Sequence, residues 1–365
     1  MLTILTSSTW LLVAQPFVAQ PDSLPPLRQV ELSGQAGFVI PHAPDLVPIS
    51  GNMPVGITLS YGQTNRTRRA YESCNCFAQT GFYLNYMTFN SPAVLGRTVG
   101  VGGFFEPRLS NVSRPTYLSM RITAGLTYLT RPFDAVSNPQ NTFFSAPMSG
   151  LLALSVQAHQ RLSSQWELVA AANYNHISNG GIRQPNRGMN FPTASLGLRY
   201  QLQPASLPNP QRWRINAPDT RWFGRAVLSG SVRVLPQTDQ LPEQTRPIWS
   251  IIGLGGYRLS RFNALSAGLE YLDDGFIKGQ IQRDGLAQNY RQLALLAGYE
   301  RWQGRYRFAV HQGMNLLSPG VPYTSRFFQR YQLLYVWPGG LVAGIGLKAN
   351  LNVAEGFDAR LGWSF

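Results

Sequence analysis

Between Tyr117 and Thr130 the chain changes character at every residue. Leu118, Met120, Ile122, Ala124, Leu126 and Tyr128 alternate with Ser119, Arg121, Thr123, Gly125 and Thr127. Period two is the signature of a β-strand, whose successive side chains point to opposite faces. One face here is apolar along its whole length and the other is polar or small. Strands of membrane β-barrels carry that pattern, with the apolar face toward lipid. Strand-like runs of this kind recur from end to end. In the first half they are Val30–Ile40, Val55–Gly62, Gly81–Asn90, Leu95–Phe105, Tyr117–Thr130, Met148–Gln160, Gln165–Asn175 and Phe191–Leu202. In the second half they are Trp222–Leu235, Pro247–Leu259, Phe262–Leu272, Tyr290–Arg301, Tyr306–Leu316, Phe327–Trp337, Leu341–Asn350 and Gly356–Phe365. With short runs free to merge, the expectation is an all-β, antiparallel transmembrane outer-membrane barrel of about 12–16 strands.

Composition supports this class. Only 13% of residues are charged, and the chain holds 35 Gly, 16 Tyr and 19 Phe. No apolar run reaches the ~18 residues of a transmembrane helix. The net charge of +14 favours anionic partners. The basic residues are dispersed and no nucleic-acid motif appears, so the phosphates of lipopolysaccharide suit the chain better than nucleic acid does. The first 20 residues, apolar through Thr9-Trp10-Leu11-Leu12-Val13-Ala14, read as a secretory signal peptide without a basic start. Residues 21–365 then form one barrel domain. The two cysteines, Cys74 and Cys76, are too few for a zinc site and read as loop residues without a catalytic role. A bridge across a single intervening residue is expected to be strained.

The links alternate in length. Arg161–Ser164, Ser260–Arg261, Gln303–Gly304 and Pro338–Gly340 are short, whereas Phe133–Ala146, Asp273–Asn289 and Leu317–Arg326 are long. Short periplasmic turns and long external loops give this asymmetry. By the same parity the link after His176 is external. Gln203–Thr220, long on the short side, breaks the rule. The chain closes Ala359-Arg360-Leu361-Gly362-Trp363-Ser364-Phe365, alternating up to a final Phe as outer-membrane barrels do.

One stretch carries chemistry: Asn173-Tyr174-Asn175-His176-Ile177-Ser178-Asn179-Gly180-Gly181, with Asn190 opening the next strand. Counting from Trp166, His176 and Ser178 continue the apolar face and lie two residues apart, about 6.5–7 Å between Cα atoms. A hydroxyl needs a base within hydrogen-bond reach, and the base needs an orienting partner. His176 is the base for Ser178, and Asn190 can accept from its second ring nitrogen, as Asn does in Cys-His-Asn sites. Asn179 and the N–H groups of Gly180 and Gly181 are candidates to hold an oxyanion. Arg183 and Arg187 are candidates for substrate phosphates. His42, His159 and His311 show no metal spacing, and no metal or cofactor is expected.

His176-Ile177-Ser178-Asn179-Gly180-Gly181 followed by Pro185-Asn186-Arg187-Gly188-Met189-Asn190 resembles the motif of the PagL-type lipid A 3-O-deacylases, the acyloxyacyl hydrolase family. Tyr128-Leu129-Thr130-Arg131-Pro132-Phe133-Asp134 and Asn138-Pro139-Gln140-Asn141 resemble it too, and the close likeness runs from about Phe82 to Leu202. The resemblance implies an outer-membrane barrel that hydrolyses an acyl ester of lipid A at a site open to the outer leaflet. It makes His176 the base, Ser178 the nucleophile and Asn179 the residue after it. The family's acidic third member falls on Asn190, and a neutral amide stabilises an imidazolium less than a carboxylate does. A rival class is a non-catalytic barrel, a porin or structural protein. In it, inward residues such as Arg121, Glu167, Glu270 and Arg330 line a channel or plug it with ion pairs. A soluble periplasmic sandwich fits less well, given the low charge and the terminal Phe365.

Overall fold

The computed structural model describes residues 24–110, 114–209, 220–350 and 353–365. The expected signal peptide lies outside them. Among the described residues the alternating runs form sixteen strands. The first eight are β1 (Leu27–Gly37), β2 (Val55–Thr64), β3 (Ala78–Thr88), β4 (Arg97–Pro107), β5 (Thr116–Leu129), β6 (Met148–Arg161), β7 (Trp166–Ser178) and β8 (Met189–Gln201). The second eight are β9 (Trp222–Leu235), β10 (Gln244–Arg258), β11 (Asn263–Asp274), β12 (Gln292–Gln303), β13 (Tyr306–Leu317), β14 (Phe327–Val336), β15 (Leu341–Asn350) and β16 (Val353–Ser364). Short helices α1 (Val47–Ser50), α2 (Arg68–Cys74) and α3 (Gly275–Arg283) sit in the links. Among the described residues no helix is long and apolar enough to cross a membrane.

The expectation of one barrel over residues 21–365 is corrected. β8 returns to β1, from Gln29↔Gln201 to Gly37↔Thr193, and closes a first barrel. β16 returns to β9, from Ala359↔Gly230 to Ser364↔Arg225, and closes a second. The reason lies in the inward side chains. An eight-stranded barrel is just wide enough for its interior to be filled by side chains, and each half of this chain balances its own buried charges. In the first barrel Arg121 and Arg199 both bridge Glu31 and Glu106, at 2.6–3.1 Å. All four are under 9% exposed. Beside them the Tyr117 hydroxyl donates to Glu167 at 2.7 Å. In the second barrel Arg225 grips Glu300 with two bonds of 3.0 and 3.1 Å. Arg330 joins Glu270 and Asp358. Glu31 of the first strand thus finds its cation on the eighth, not in the other half. The inward polar residues plug the barrels with ion pairs rather than lining an open channel.

The long link Gln203–Thr220 now has a reason. An even strand number brings each barrel's first and last strands to the same end, so the link passes from one barrel to the next at the end where short turns predominate. We call this the turn end and the opposite one the site end. Outward aromatics are found toward both. Trp166, Trp222, Tyr306 and Trp363 lie toward the turn end, and Tyr86, Tyr128, Tyr174 and Trp249 toward the site end, all exposed on the outer surface. Such girdles mark the two interfaces of a bilayer.

At the site end the first barrel is closed by an apolar cap. Leu46, Phe89, Leu95, Phe143, Phe144, Ile177, Met189 and Phe191 are each at most 2% exposed and form one cluster. Ile177, Met189 and Phe191 belong to β7 and β8. The cap therefore fixes the strand ends that carry the His-Ser-Asn constellation. At the turn end Cys74 and Cys76, read from the sequence as loop residues without a catalytic role, form a disulfide. Asn75 between them adopts a left-handed conformation (φ 56°), which folds the chain back and brings the Cα atoms to 5.1 Å, inside the usual range for a bridge.

Candidate active site

Strand pairing builds the site. His176 lies directly opposite Asn190 across the β7–β8 ladder. Asn173, Asn175 and Ile177 line the cavity inside the barrel. Their neighbours Tyr174, His176 and Ser178 therefore face outward, on the surface that Tyr174 exposes to the bilayer. His176 Nδ1 lies 2.7 Å from Asn190 Oδ1. An amide oxygen can only accept, so Nδ1 carries the hydrogen and Nε2 keeps its lone pair. Gly188 holds the space beside that nitrogen. It is left-handed (φ 70°), and a Cβ there would sit 3.0 Å from His176 Cε1.

Ser178 is 6% exposed, and its Oγ is held by two donors. Asn186 Nδ2 donates at 3.0 Å and the Gly180 N–H at 3.1 Å. No hydrogen bond joins His176 to Ser178 among the described residues. Gly180 and Gly181 are both left-handed (φ 69° and 83°), so the turn requires glycine on steric grounds. The other nominated oxyanion groups are engaged elsewhere. The Gly181 N–H donates to Asn179 Oδ1 at 2.9 Å, and Asn179 Nδ2 donates to the Arg183 carbonyl at 2.9 Å. Asn179 is thus placed as the brace of the turn. Asn186 Oδ1 accepts from the Asn179 N–H at 3.2 Å, completing the ring of contacts around the serine. The sequence reading placed Asn186 in the family motif but gave it no role at the site. Its type and its place eight residues after Ser178 were the available signal.

The two arginines separate. Arg183 is exposed on the loop. Arg187 pairs with Asp45 at 3.2 Å, half-exposed. The flanking motifs act as scaffold. Asn138 and Asn141 donate to the carbonyls of Val94 and Arg131 at 2.6–3.2 Å. They thereby shape the loop whose Thr142 and Phe143 carbonyls receive the Arg187 and Gly188 N–H groups at 3.1 and 2.9 Å. His42 closes the rim through a 3.0 Å contact of Nε2 with the Arg187 carbonyl.

Among the described residues two serine–histidine hydrogen bonds are found, Ser119 with His159 and Ser266 with His311, each at 2.8 Å. Both histidines are at most 1% exposed inside a barrel, where they serve the ion-pair networks. Among the described residues no group of three or more His, Cys, Asp and Glu could hold a metal.

No curated protein matches the chain. Among solved structures it is similar to Neisserial surface protein A, with 12% identity, a TM-score of 0.33, and coverage of 48% of this chain and 97% of that one. It is also similar to the translocator domain of autotransporter NalP from Neisseria meningitidis, with 11% identity, a TM-score of 0.19, and coverage of 94% and 89%. Residues 55–199, within the first barrel, match the family described as lipid A 3-O-deacylase (PagL). Residues 224–365, the second barrel, match the acyloxyacyl hydrolase C-terminal domain. The chain therefore belongs to the PagL-type lipid A 3-O-deacylase (acyloxyacyl hydrolase) family of lipid A-modifying enzymes, and its barrels are those of a bacterial outer-membrane protein.

Proposed function

We propose that this protein is a serine esterase that removes an ester-linked acyl chain from lipid A at the outer leaflet. The observation that carries the reading is the His176–Asn190 contact of 2.7 Å, which leaves His176 Nε2 free two residues from Ser178 on the lipid-facing side of β7. Ser178 Oγ attacks the acyl carbonyl carbon, and His176 Nε2 takes its proton. The tetrahedral oxyanion collapses, the sugar oxygen leaves with that proton, and the acyl chain stays on Ser178. Water, deprotonated by His176, then releases the fatty acid and restores the serine. The resting structure holds Oγ on Asn186 and Gly180, and substrate binding turns it toward the imidazole. Catalytic hydrogen bonds commonly tighten only in the substrate complex.

The oxyanion receives the Gly180 N–H and the Asn186 amide, the two donors already aimed at the nucleophile. Asn179 and Gly181 hold the turn that presents them. Arg183 and Arg187 contact the phosphorylated headgroup at the rim. No cofactor takes part in this scheme. Purified protein in detergent is expected to release a 3-hydroxy fatty acid from lipid A, and an intact barrel that releases none would favour the non-catalytic alternative.

Asn190 orients the base. A hydrogen bond to a charged group contributes about 1.5–3 kcal/mol, and a tenfold rate change corresponds to about 1.4 kcal/mol. Asn190→Ala is therefore expected to slow deacylation by about ten- to a hundredfold. Asn190→Glu, which restores a carboxylate, is expected to match or exceed the unmodified rate. Kinetics of fatty-acid release by the two variants decide the point. An Asn190→Ala enzyme with unchanged rate and pH profile would place the orienting group elsewhere.

A further inference from the structure

The second barrel has one histidine, His311, buried in its interior, and so cannot build a copy of the His176–Ser178 pair. Its site-end rim instead meets the glycine turn beside Ser178. The Val234 N–H, at the end of β9, donates to the Gly181 carbonyl at 3.3 Å. The ring of Phe357, at the start of β16, lies where a Cβ on Gly180 would come within 2.9 Å of it. Gly356 is close enough that its own Cβ would be 3.7 Å from the Gly180 carbonyl oxygen. Phe357 is held in turn, since its carbonyl accepts from the Ser231 hydroxyl across the β16–β9 seam. The barrels are also joined at the turn end. The Gly304 N–H donates to the Ser73 carbonyl at 3.0 Å, Arg301 to the Cys74 carbonyl at 3.3 Å, and Arg261 approaches Glu72 at 3.7 Å.

We propose that the second barrel positions the catalytic turn of the first, with Phe357 and the Val234 N–H holding Gly180 and Gly181 in the left-handed conformation that aims the Gly180 N–H at Ser178. This rests on the serine-esterase reading of the site. Glycines have the widest backbone freedom of any residue, and exposed loop tips are the parts of a barrel that open most readily. Two consecutive glycines in the link that follows β7 would sample many conformations without outside contacts. Contacts on both residues from a separate, rigid barrel remove that freedom without placing any second-barrel side chain on the reacting atoms. Phe357 is thus a positioning residue.

The test uses the full chain in detergent, comparing Phe357→Ala, Phe357→Leu and, as a control for loss of an outward aromatic on the same barrel, Phe327→Ala. Heat-modifiable gel migration reports that each barrel is closed. Hydrogen–deuterium exchange of the 179–188 segment is expected to quicken in Phe357→Ala, to recover largely in Phe357→Leu, and to stay unchanged in Phe327→Ala. Small misplacements of catalytic groups cost up to about a hundredfold, so kcat for fatty-acid release is expected to fall about ten- to a hundredfold in Phe357→Ala with KM nearly constant. Unchanged exchange in Phe357→Ala, or faster exchange with unchanged kcat, would overturn the proposal. An unmodified protein that releases no fatty acid, yet shows the exchange response, would instead refute the esterase reading and keep the structural coupling.

Discussion

Replacing Ser178 with Ala is expected to abolish release of fatty acid from lipid A while the protein remains a folded barrel. Loss of the nucleophile of a serine hydrolase costs about 10⁴–10⁶-fold in turnover. The fold should tolerate it because Ser178 points out of the barrel, away from the ion pairs and the apolar cap. The change leaves the Asn186 amide without its present acceptor, a cost of about 1–3 kcal/mol if the group stays buried. His176→Ala is expected to lose activity to a similar degree. The double variant should be little worse than either single one, because residues that act as one unit are not additive. Heat-modifiable migration of all three variants, together with release assays in detergent, checks both halves of the expectation. Undiminished release by Ser178→Ala would remove the serine mechanism.

The second large effect lies in the barrel interior. Glu106 accepts from Arg121 and Arg199, at 2.7 and 3.1 Å for the closest contacts, and from the Ser119 hydroxyl at 3.0 Å. It is 3% exposed. Glu106→Ala leaves two buried guanidinium groups facing the single remaining carboxylate of Glu31. Removing one partner of a buried ion pair costs about 3–5 kcal/mol. The variant is expected to unfold at clearly lower urea concentration or temperature. Arg161, more exposed and 3.9 Å from Glu167, serves as the contrast. Its side chain is 42% exposed and the contact is longer than a hydrogen bond, while Glu167 keeps the Tyr117 hydroxyl as donor, so Arg161→Ala should hardly move the transition. Equal shifts for the two variants would contradict the charge-balanced interior.

The strands were legible because period two survives through most of each run, and with it the faces; it is interrupted by bulges beside Leu293 and Lys348. The count from Trp166 that put His176 and Ser178 on the outer surface needed nothing beyond that periodicity. Asn190 followed, since it opens the strand paired to theirs. Closure was not legible in the same way. Whether β8 meets β1 or β9 depends on which edges and which inward charges meet, and alternation is the same in either case. The signal available was Gln203–Thr220, a long link at the turn end that a single barrel does not need. Asn186 stood in the motif without a role, because it reaches Ser178 from an irregular loop, where no periodicity constrains direction. The Cys74–Cys76 bridge depended on the left-handed backbone at Asn75. An Asn between two cysteines was a hint of it, since Asn adopts that conformation more readily than most residues. The contribution of the second barrel to the site could not be read at all, because Phe357 and Gly180 are distant in sequence and meet only once both barrels have closed.

Mass spectrometry of lipid A from cells with and without this protein tests the central claim most directly. The account predicts that expression converts lipid A to a species lighter by one ester-linked hydroxyacyl chain, and that Ser178→Ala, present in the membrane at the same level, leaves lipid A unchanged. Identical lipid A spectra with and without the folded, unmodified protein would contradict it.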